Sequence, residues 1–235
     1  MARAGLWWQI LSAALCSRSN RQFYDRIAPF YDQVFVQHKI HADKMLEVLA
    51  AFYANQESST PVLDLGSGTG LLTRILSSKG FDVTGLDISF KSLLQMRQSA
   101  PQISTVHGDG AYLPFHDGSF QAVVSLGTWR HFSNAQQVIG EVARILGDDG
   151  ILVIGYFPPA LGGVIHLGHG IWNKILVRLY QFLTERLGYV DRADILLEQQ
   201  TVNLAKGHFK EVRTVISGDY WHLITAQGPT TRQGY

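Results

Sequence analysis

One stretch constrains this chain more than any other: Val62-Leu63-Asp64-Leu65-Gly66-Ser67-Gly68-Thr69-Gly70. A short apolar run ends in alternate glycines, and Leu72, Ile75 and Leu76 then recur at helical spacing. The pattern predicts a buried strand that turns directly into a helix. Glycines at such a turn let a ligand touch the backbone where a Cβ would block it. The helix start adds unpaired N–H groups that face a polar ligand. A glycine triplet alone is a weak signal, and the strand before it and helix after it make it specific.

The same alternation continues downstream. Phe81 to Ile88, Ile103 to Val106, Phe120 to Leu126 and Ile151 to Phe157 are further β-rich runs. Helical patterns separate them, at Leu93, Leu94 and Met96 and again at Val138, Ile139, Val142, Ile145 and Leu146. Gly147-Asp148-Asp149-Gly150 reads as a turn before the fifth run. Strands alternating with helices predict an α/β fold with a mostly parallel sheet and helices on both faces. Beyond residue 157 a glycine- and proline-containing loop leads to a predicted helix over Ile171–Leu187 and a second over Asp191–Leu204. Phe209–Ser217 and Asp219–Ala226 flank Gly218 and predict an antiparallel hairpin.

Composition narrows the functions open to such a fold. Of 235 residues, 46% are apolar and 17% charged, enough for a sizeable core. Twenty basic residues oppose nineteen acidic ones with no basic stripe, which argues against a nucleic-acid partner. A neutral or hydrophobic small molecule suits this balance better. The single cysteine, Cys16, leaves no intrachain disulfide or multi-cysteine zinc site. A cytoplasmic location is expected, with membrane-peripheral attachment and organellar targeting both open. The first twenty residues carry Leu6, Trp7, Ile10, Leu11 and Ala14 on one helical face, arginines around them, and no acid before Asp25. They fit a helix packed over the domain, a membrane-surface or substrate-capping helix, or a cleaved targeting segment.

Two further acids complete a pattern. Asp87 closes the second strand, 17 residues past Gly70, where a carboxylate accepts hydrogen bonds from ribose hydroxyls. The competing reading is a cap for the helix near Ser89. Asp109, after the third strand, sits in His107-Gly108-Asp109-Gly110 and suits either an adenine amine or a tight turn.

With these residues in view, the chain resembles the class I S-adenosylmethionine-dependent methyltransferases. The strings LDLGSGTG, GLDIS, GDGAYLPF, SFQAVVSLGTWRHF and EVARILGDDGILVI look like five of that family's motifs in order, over about residues 20–157. Gln121 stands where the family usually has Asp, and Gly-Asp-Asp-Gly replaces its Lys-Pro-Gly-Gly. The resemblance implies a Rossmann-like seven-stranded sheet with its last strand antiparallel, and S-adenosylmethionine as cofactor. It implies a binding set of Tyr24, Asp64, Gly66, Ser67, Gly68, Gly70, Asp87, Ile88, Asp109, Gly110 and Leu126. The main rival is a nicotinamide-dependent oxidoreductase. Asp64 opposes it, because a carboxylate beside the loop repels a pyrophosphate and favours an ammonium and sulfonium.

The acceptor side is less defined. The segment Gly127-Thr128-Trp129-Arg130-His131-Phe132 follows the fourth strand, at the sheet edge where open α/β sheets bind ligands. His131 is the candidate base, and the rival reading is a solvent-exposed histidine at a helix start. Trp129 either walls the acceptor pocket or packs in the core. The Asn/Asp-Pro-Pro-Tyr/Phe signature of nucleic-acid amino methylation is absent here. Residues 24–32 resemble the opening segment of quinone-biosynthesis methyltransferases, which implies Tyr24 at the cofactor and Tyr31 in the pocket. The expected organisation is 1–55 as a cover, 56–157 as the core, 158–208 as a helical lid inserted between strands five and six, and 209–228 as the closing hairpin. Trp172 in the lid is a candidate substrate contact. His166 and His169 lack a third ligand in register, so no metal is expected. The expected activity is methyl transfer to an O or C atom of a lipophilic or aromatic small molecule. A protein methyltransferase and an inactive cofactor-binding scaffold are the alternatives, and the oligomeric state stays open.

Overall fold

The computed structural model describes residues 2–34, 38–54, 61–156, 194–216 and 222–230. Seven strands form one sheet in the order β3-β2-β1-β4-β5-β7-β6. They are β1 (Pro61–Leu65), β2 (Asp82–Asp87), β3 (Ser104–His107), β4 (Phe120–Leu126), β5 (Leu146–Tyr156), β6 (Phe209–Ile216) and β7 (His222–Pro229). The first five strands are parallel. β7 runs antiparallel to both β5 and β6. The α/β sheet expected from the alternating runs is therefore present, with its antiparallel closing strand.

Side-chain parity explains why the central strands are continuously apolar. Leu63, Leu65, Val123, Leu152, Ile154 and Ile224 point to one face, and Val62, Ala122, Val124, Val153 and Leu223 to the other. Strands covered on both faces cannot alternate apolar and polar residues. Helix α7 (Ala135–Ile145) contributes Val138, Ile139, Val142 and Ile145 to the first face. Ala205 of α8 (Asp194–Lys206) joins them there. Helices α4 (His38–Tyr53) and α5 (Leu71–Ser78) cover the second face through Met45, Leu49, Leu72 and Leu76. Helix α6 (Phe90–Ser99) packs on β2 and β3.

The N-terminal segment is helical and lies on this core. It comprises α1 (Ala2–Cys16), α2 (Asn20–Ile27), a 3-10 turn at Ala28–Phe30 and α3 (Tyr31–Val34). Ser19 caps α2 by accepting from the Gln22 N–H. Ile10, Leu11, Ala13 and Ala14 of α1 are buried, and α1 packs on α2. Residues 2–16 thus form a helix packed against α2.

One expectation needs correction. Gly147–Gly150 is not a turn ahead of the fifth strand but lies within β5. Phe120 pairs with Leu146 and Ala122 with Ile151, so β5 bulges outward between these pairs. The predicted second helix is present over Asp194–Lys206, and residues 191–193 lie outside the described residues. The predicted Ile171–Leu187 helix, the lid it belongs to, Trp172, His166, His169 and the Gly218 turn lie outside the described residues. Among the described residues no helix is long and apolar enough to cross a membrane.

Candidate functional site

The chain leaves β1 toward β2 on one side and returns to β4 on the other. This divergence opens a crevice at the C-terminal ends of the strands. A cavity of about 270 Å³ lies there. Its lining includes Tyr24, Tyr31, Gly66, Gly68, Asp87, Ile88, Asp109, Gly110 and His131 from the predicted set. A smaller recess of about 40 Å³ shares Tyr31, Gly66 and Gly68 with it and adds Asp64, Ser67 and Leu126. Most of the residues singled out in the sequence thus converge on one place.

The glycine loop explains itself atom by atom. The N–H groups of Gly66 and Ser67 both donate to the Leu86 carbonyl, at 2.7 and 3.0 Å, pinning the loop to the end of β2. Gly66 has φ +77°, and a Cβ there would sit 2.2 Å from the Thr128 side chain. Gly68 has φ +56°, yet a Cβ there would meet nothing within 4 Å. The first glycine is therefore demanded by packing, and the second opens onto the cavity. Gly70 stands at the N-cap of α5 in the left-handed conformation.

Asp87 is buried and already accepts two backbone hydrogen bonds. Gly68 N–H donates to Oδ2 at 2.8 Å and Ser89 N–H to Oδ1 at 2.7 Å. Burial still raises its pKa above the ordinary carboxylate range. Ser89, not Asp87, supplies the side-chain cap of α6, since its Oγ accepts from the Ser92 N–H. This leaves Asp87 at the cavity wall. Asp64 is 1% exposed and accepts from Thr73 Oγ1 at 2.6 Å. Burial pushes its carboxyl up to about 7, and the nearby Asp87 charge adds to the shift. A cation entering the recess would relieve this repulsion. Beside it, the buried Ser67 Oγ has no hydrogen-bond partner among the described residues, an arrangement that a polar ligand would complete.

Asp109 combines the two roles weighed for it. Its Oδ1 accepts from the Ala111 N–H at 2.9 Å, a turn contact, while the residue also lines the cavity. The loop that carries it is held by groups the sequence did not mark. Gln137 Nε2 donates to the Ala111 carbonyl at 2.9 Å. Arg144 donates to the carbonyls of Leu113 and Phe115 and to Asp117 and Glu141. The Arg144 guanidinium in turn holds the Glu141 carboxyl below its usual range.

The cover is fastened by side chains from distant positions. Asp25 accepts from Ser89 Oγ at 2.7 Å and from the Lys91 N–H at 3.2 Å. Asp32 accepts from Thr69 Oγ1 and pairs with Arg74 at 3.3 Å. Tyr24 Oη lies 2.8 Å from His131 Nε2, with the rings edge to face. Tyr31 stacks obliquely on Tyr24, with ring centroids 6.2 Å apart. His131 belongs to a 3-10 turn, Trp129–His131, right after β4. Trp129 is 2% exposed and packs on Phe132 in the core. It is absent from the described lining of the cavity, so core packing is the reading that its position supports.

Sequence reasoning missed Thr128, which lines the cavity and whose Oγ1 donates to the Gly66 carbonyl at 3.0 Å. It also missed Phe132, Arg21 and Ser19 in the lining, and the Asp25 and Asp32 fasteners. His222 and Glu198 form a further polar pair at 2.7 Å, at the end of β7 that faces Tyr156. Among the described residues no acidic, histidine or cysteine cluster fits a metal ion.

Known proteins resemble this chain in sequence and fold. The sequence model of a family described as a methyltransferase domain matches residues 63–154. The demethylmenaquinone methyltransferase of Thermus thermophilus is 30% identical over 155 residues, 63% of this chain and 70% of that one. Its counterpart from Tropheryma whipplei is 29% identical over 197 residues, 76% and 81% of the two chains. The solved phosphoethanolamine N-methyltransferase 2 of Haemonchus contortus, bound to phosphomonomethylethanolamine and S-adenosylhomocysteine, shares the fold. Its TM-score is 0.61 at 16% identity, over 90% of this chain and 60% of that one. The two carboxylates, the orphaned Ser67 hydroxyl and the open side of Gly68 fit a cationic adenosyl donor. On both grounds the chain belongs to the class I S-adenosylmethionine-dependent methyltransferases, similar to those of quinone biosynthesis.

Proposed function

We propose that this enzyme methylates an O or C atom of a lipophilic or aromatic small molecule. The observation that carries the reading is the covered cavity. Its roof holds the tyrosines Tyr24 and Tyr31, and the Tyr24–His131 pair stands beside the donor site. A recessed cavity roofed by aromatic side chains suits a small ring system better than a polypeptide. The relatives named for demethylmenaquinone methylation support the same direction.

When bound, S-adenosylmethionine supplies an electrophilic methyl group whose bonding pair stays with sulfur on transfer. The chain's own residues do the rest. Asp87 and the Gly68 backbone would hold the ribose, with Ile88 and the Asp109–Gly110 turn toward the adenine. Asp64 and the Ser67 hydroxyl face the amino-acid end. Alignment and exclusion of water supply most of the acceleration. The proton lost from an acceptor hydroxyl or carbon acid passes to His131 Nε2 through the Tyr24 hydroxyl. Tyr31 walls the acceptor.

The test is incubation with methyl-labelled S-adenosylmethionine and a panel of quinols, phenols, sterols and fatty acids. Label should appear in a ring-bearing acceptor. His131→Gln should lower turnover by about 10²-fold while donor affinity holds. Label found only in protein substrates would favour a protein methyltransferase. Tight donor binding with no transfer to anything would favour an inactive scaffold.

A further inference from the structure

We infer that the surface around the cavity mouth, built from α1, α2 and α6, docks on an anionic lipid membrane. The argument begins with exposed apolar side chains that the fold does not use. On α1, Trp8 is 71% exposed and Leu15 63%. With the exposed Ser12 they form one face at i, i+4 and i+7, opposite the buried Ile10, Ala14 and Ser17. A second exposed pair, Phe90 and Leu94, lies on α6. Large aromatic and aliphatic side chains in this state mark an interaction surface when they cluster.

The two sets lie on helices linked through α2. α1 packs on α2, and α2 packs on α6. The cavity opens among them, because Ser19 and Arg21 at the start of α2 and Ile88 ahead of α6 all line it.

Charge selects the occupant. Arg18, Arg21, Arg26, Lys91 and Arg97 are exposed across this surface. Helix α6 contains no acidic residue, and residues 2–30 contain only Asp25. Asp25 is itself turned inward onto Ser89 and the Lys91 N–H. This concentration exists although the whole chain is nearly balanced, at twenty basic against nineteen acidic residues. Apolar side chains that include a tryptophan, ringed by arginine and lysine, match the boundary between anionic headgroups and acyl chains. A basic rim would repel a second copy of itself, so self-association fits the charge less well. Docking in this orientation sets the cavity mouth against the bilayer, and it holds whichever acceptor is methylated.

The experiment is co-sedimentation of the full chain with vesicles of pure phosphatidylcholine and with vesicles containing 30% phosphatidylglycerol, as an order-of-magnitude anionic load. Binding should appear on the anionic vesicles, weaken with salt and be nearly lost on the neutral ones. Trp8→Ser with Leu15→Ser should cut partitioning by about tenfold or more. Arg18→Gln with Arg26→Gln should cut it by a similar factor. Both variants should keep wild-type donor affinity, which reports an intact fold. Equal binding to both vesicle types, or no loss in either double variant, would overturn the proposal. So would a dimer in analytical ultracentrifugation that the Trp8/Leu15 pair abolishes, since that would assign the face to a second copy.

Discussion

The donor side and the cover of this site are built by different means. The donor side is backbone. Gly66 and Ser67 hang from the Leu86 carbonyl, Gly68 N–H meets Asp87, and β1, β2 and β4 fix every position. The cover is fastened by side chains. Tyr24, Asp25 and Asp32 reach His131, Ser89 and Thr69 across 107, 64 and 37 residues of sequence. A backbone cradle admits little change without loss of the fold. Fasteners made of single side chains can be exchanged, and they can open.

The sharpest break in this comparison comes from two glycines in one loop. Gly66→Ala forces a Cβ into Thr128 at an unfavourable φ and should cost about 3 kcal/mol, lowering Tm by roughly 6–12 °C. Gly68→Ala meets open space, so it should cost only about 1 kcal/mol of strain and instead weaken donor binding. Thermal melts and calorimetry on the two variants separate a packing glycine from a ligand-facing one. Next in size, Asp87→Ala removes charge-assisted acceptors at the ribose and should weaken donor binding by about 100-fold. Wild-type affinity in that variant would undo the ribose assignment.

A smaller effect is read in pH. The Asp64 carboxyl is protonated in the ligand-free fold up to about pH 7. Its ordinary value is lower, so the free protein loses stability as pH rises from the usual carboxylate range to about 7. A cationic donor prefers the ionised form, so affinity should climb by up to about tenfold per pH unit below 7 and level off above it. Asp64→Asn should flatten this dependence relative to wild type, as titration calorimetry from pH 5.5 to 8.5 would show. Smallest of all, Asp32→Asn weakens one part-exposed fastener. It should raise the donor off-rate by about threefold, measured by stopped-flow, with little change in Tm.

These differences also explain what the sequence could reveal. The sheet was legible because strands buried on both faces carry apolar residues in succession, as Val62-Leu63, Ala122-Val123-Val124 and Ile151-Leu152-Val153-Ile154 do. The loop was legible because glycine at a strand-to-helix turn has few other uses. Asp25 and Asp32 were not legible, because a carboxylate that ties one helix to a distant serine or threonine leaves no local pattern. Trp129, following β4, fitted either a pocket wall or the core, and the 3-10 turn directs its ring inward onto Phe132. The β5 bulge was hidden because Gly-Asp-Asp-Gly carries the chemistry of a turn, which strand pairing on either side absorbed. Thr128 was legible only as part of the segment at the sheet edge, since its contact with the Gly66 carbonyl is set by folding.

The central claim is that a carboxylate-flanked glycine cradle holds a positively charged adenosyl donor. Side-by-side calorimetric titration of the wild-type chain with S-adenosylmethionine and with a nicotinamide dinucleotide tests it most directly. The account predicts donor binding in the micromolar range and no heat from the dinucleotide. Uptake of the dinucleotide with indifference to S-adenosylmethionine would contradict it.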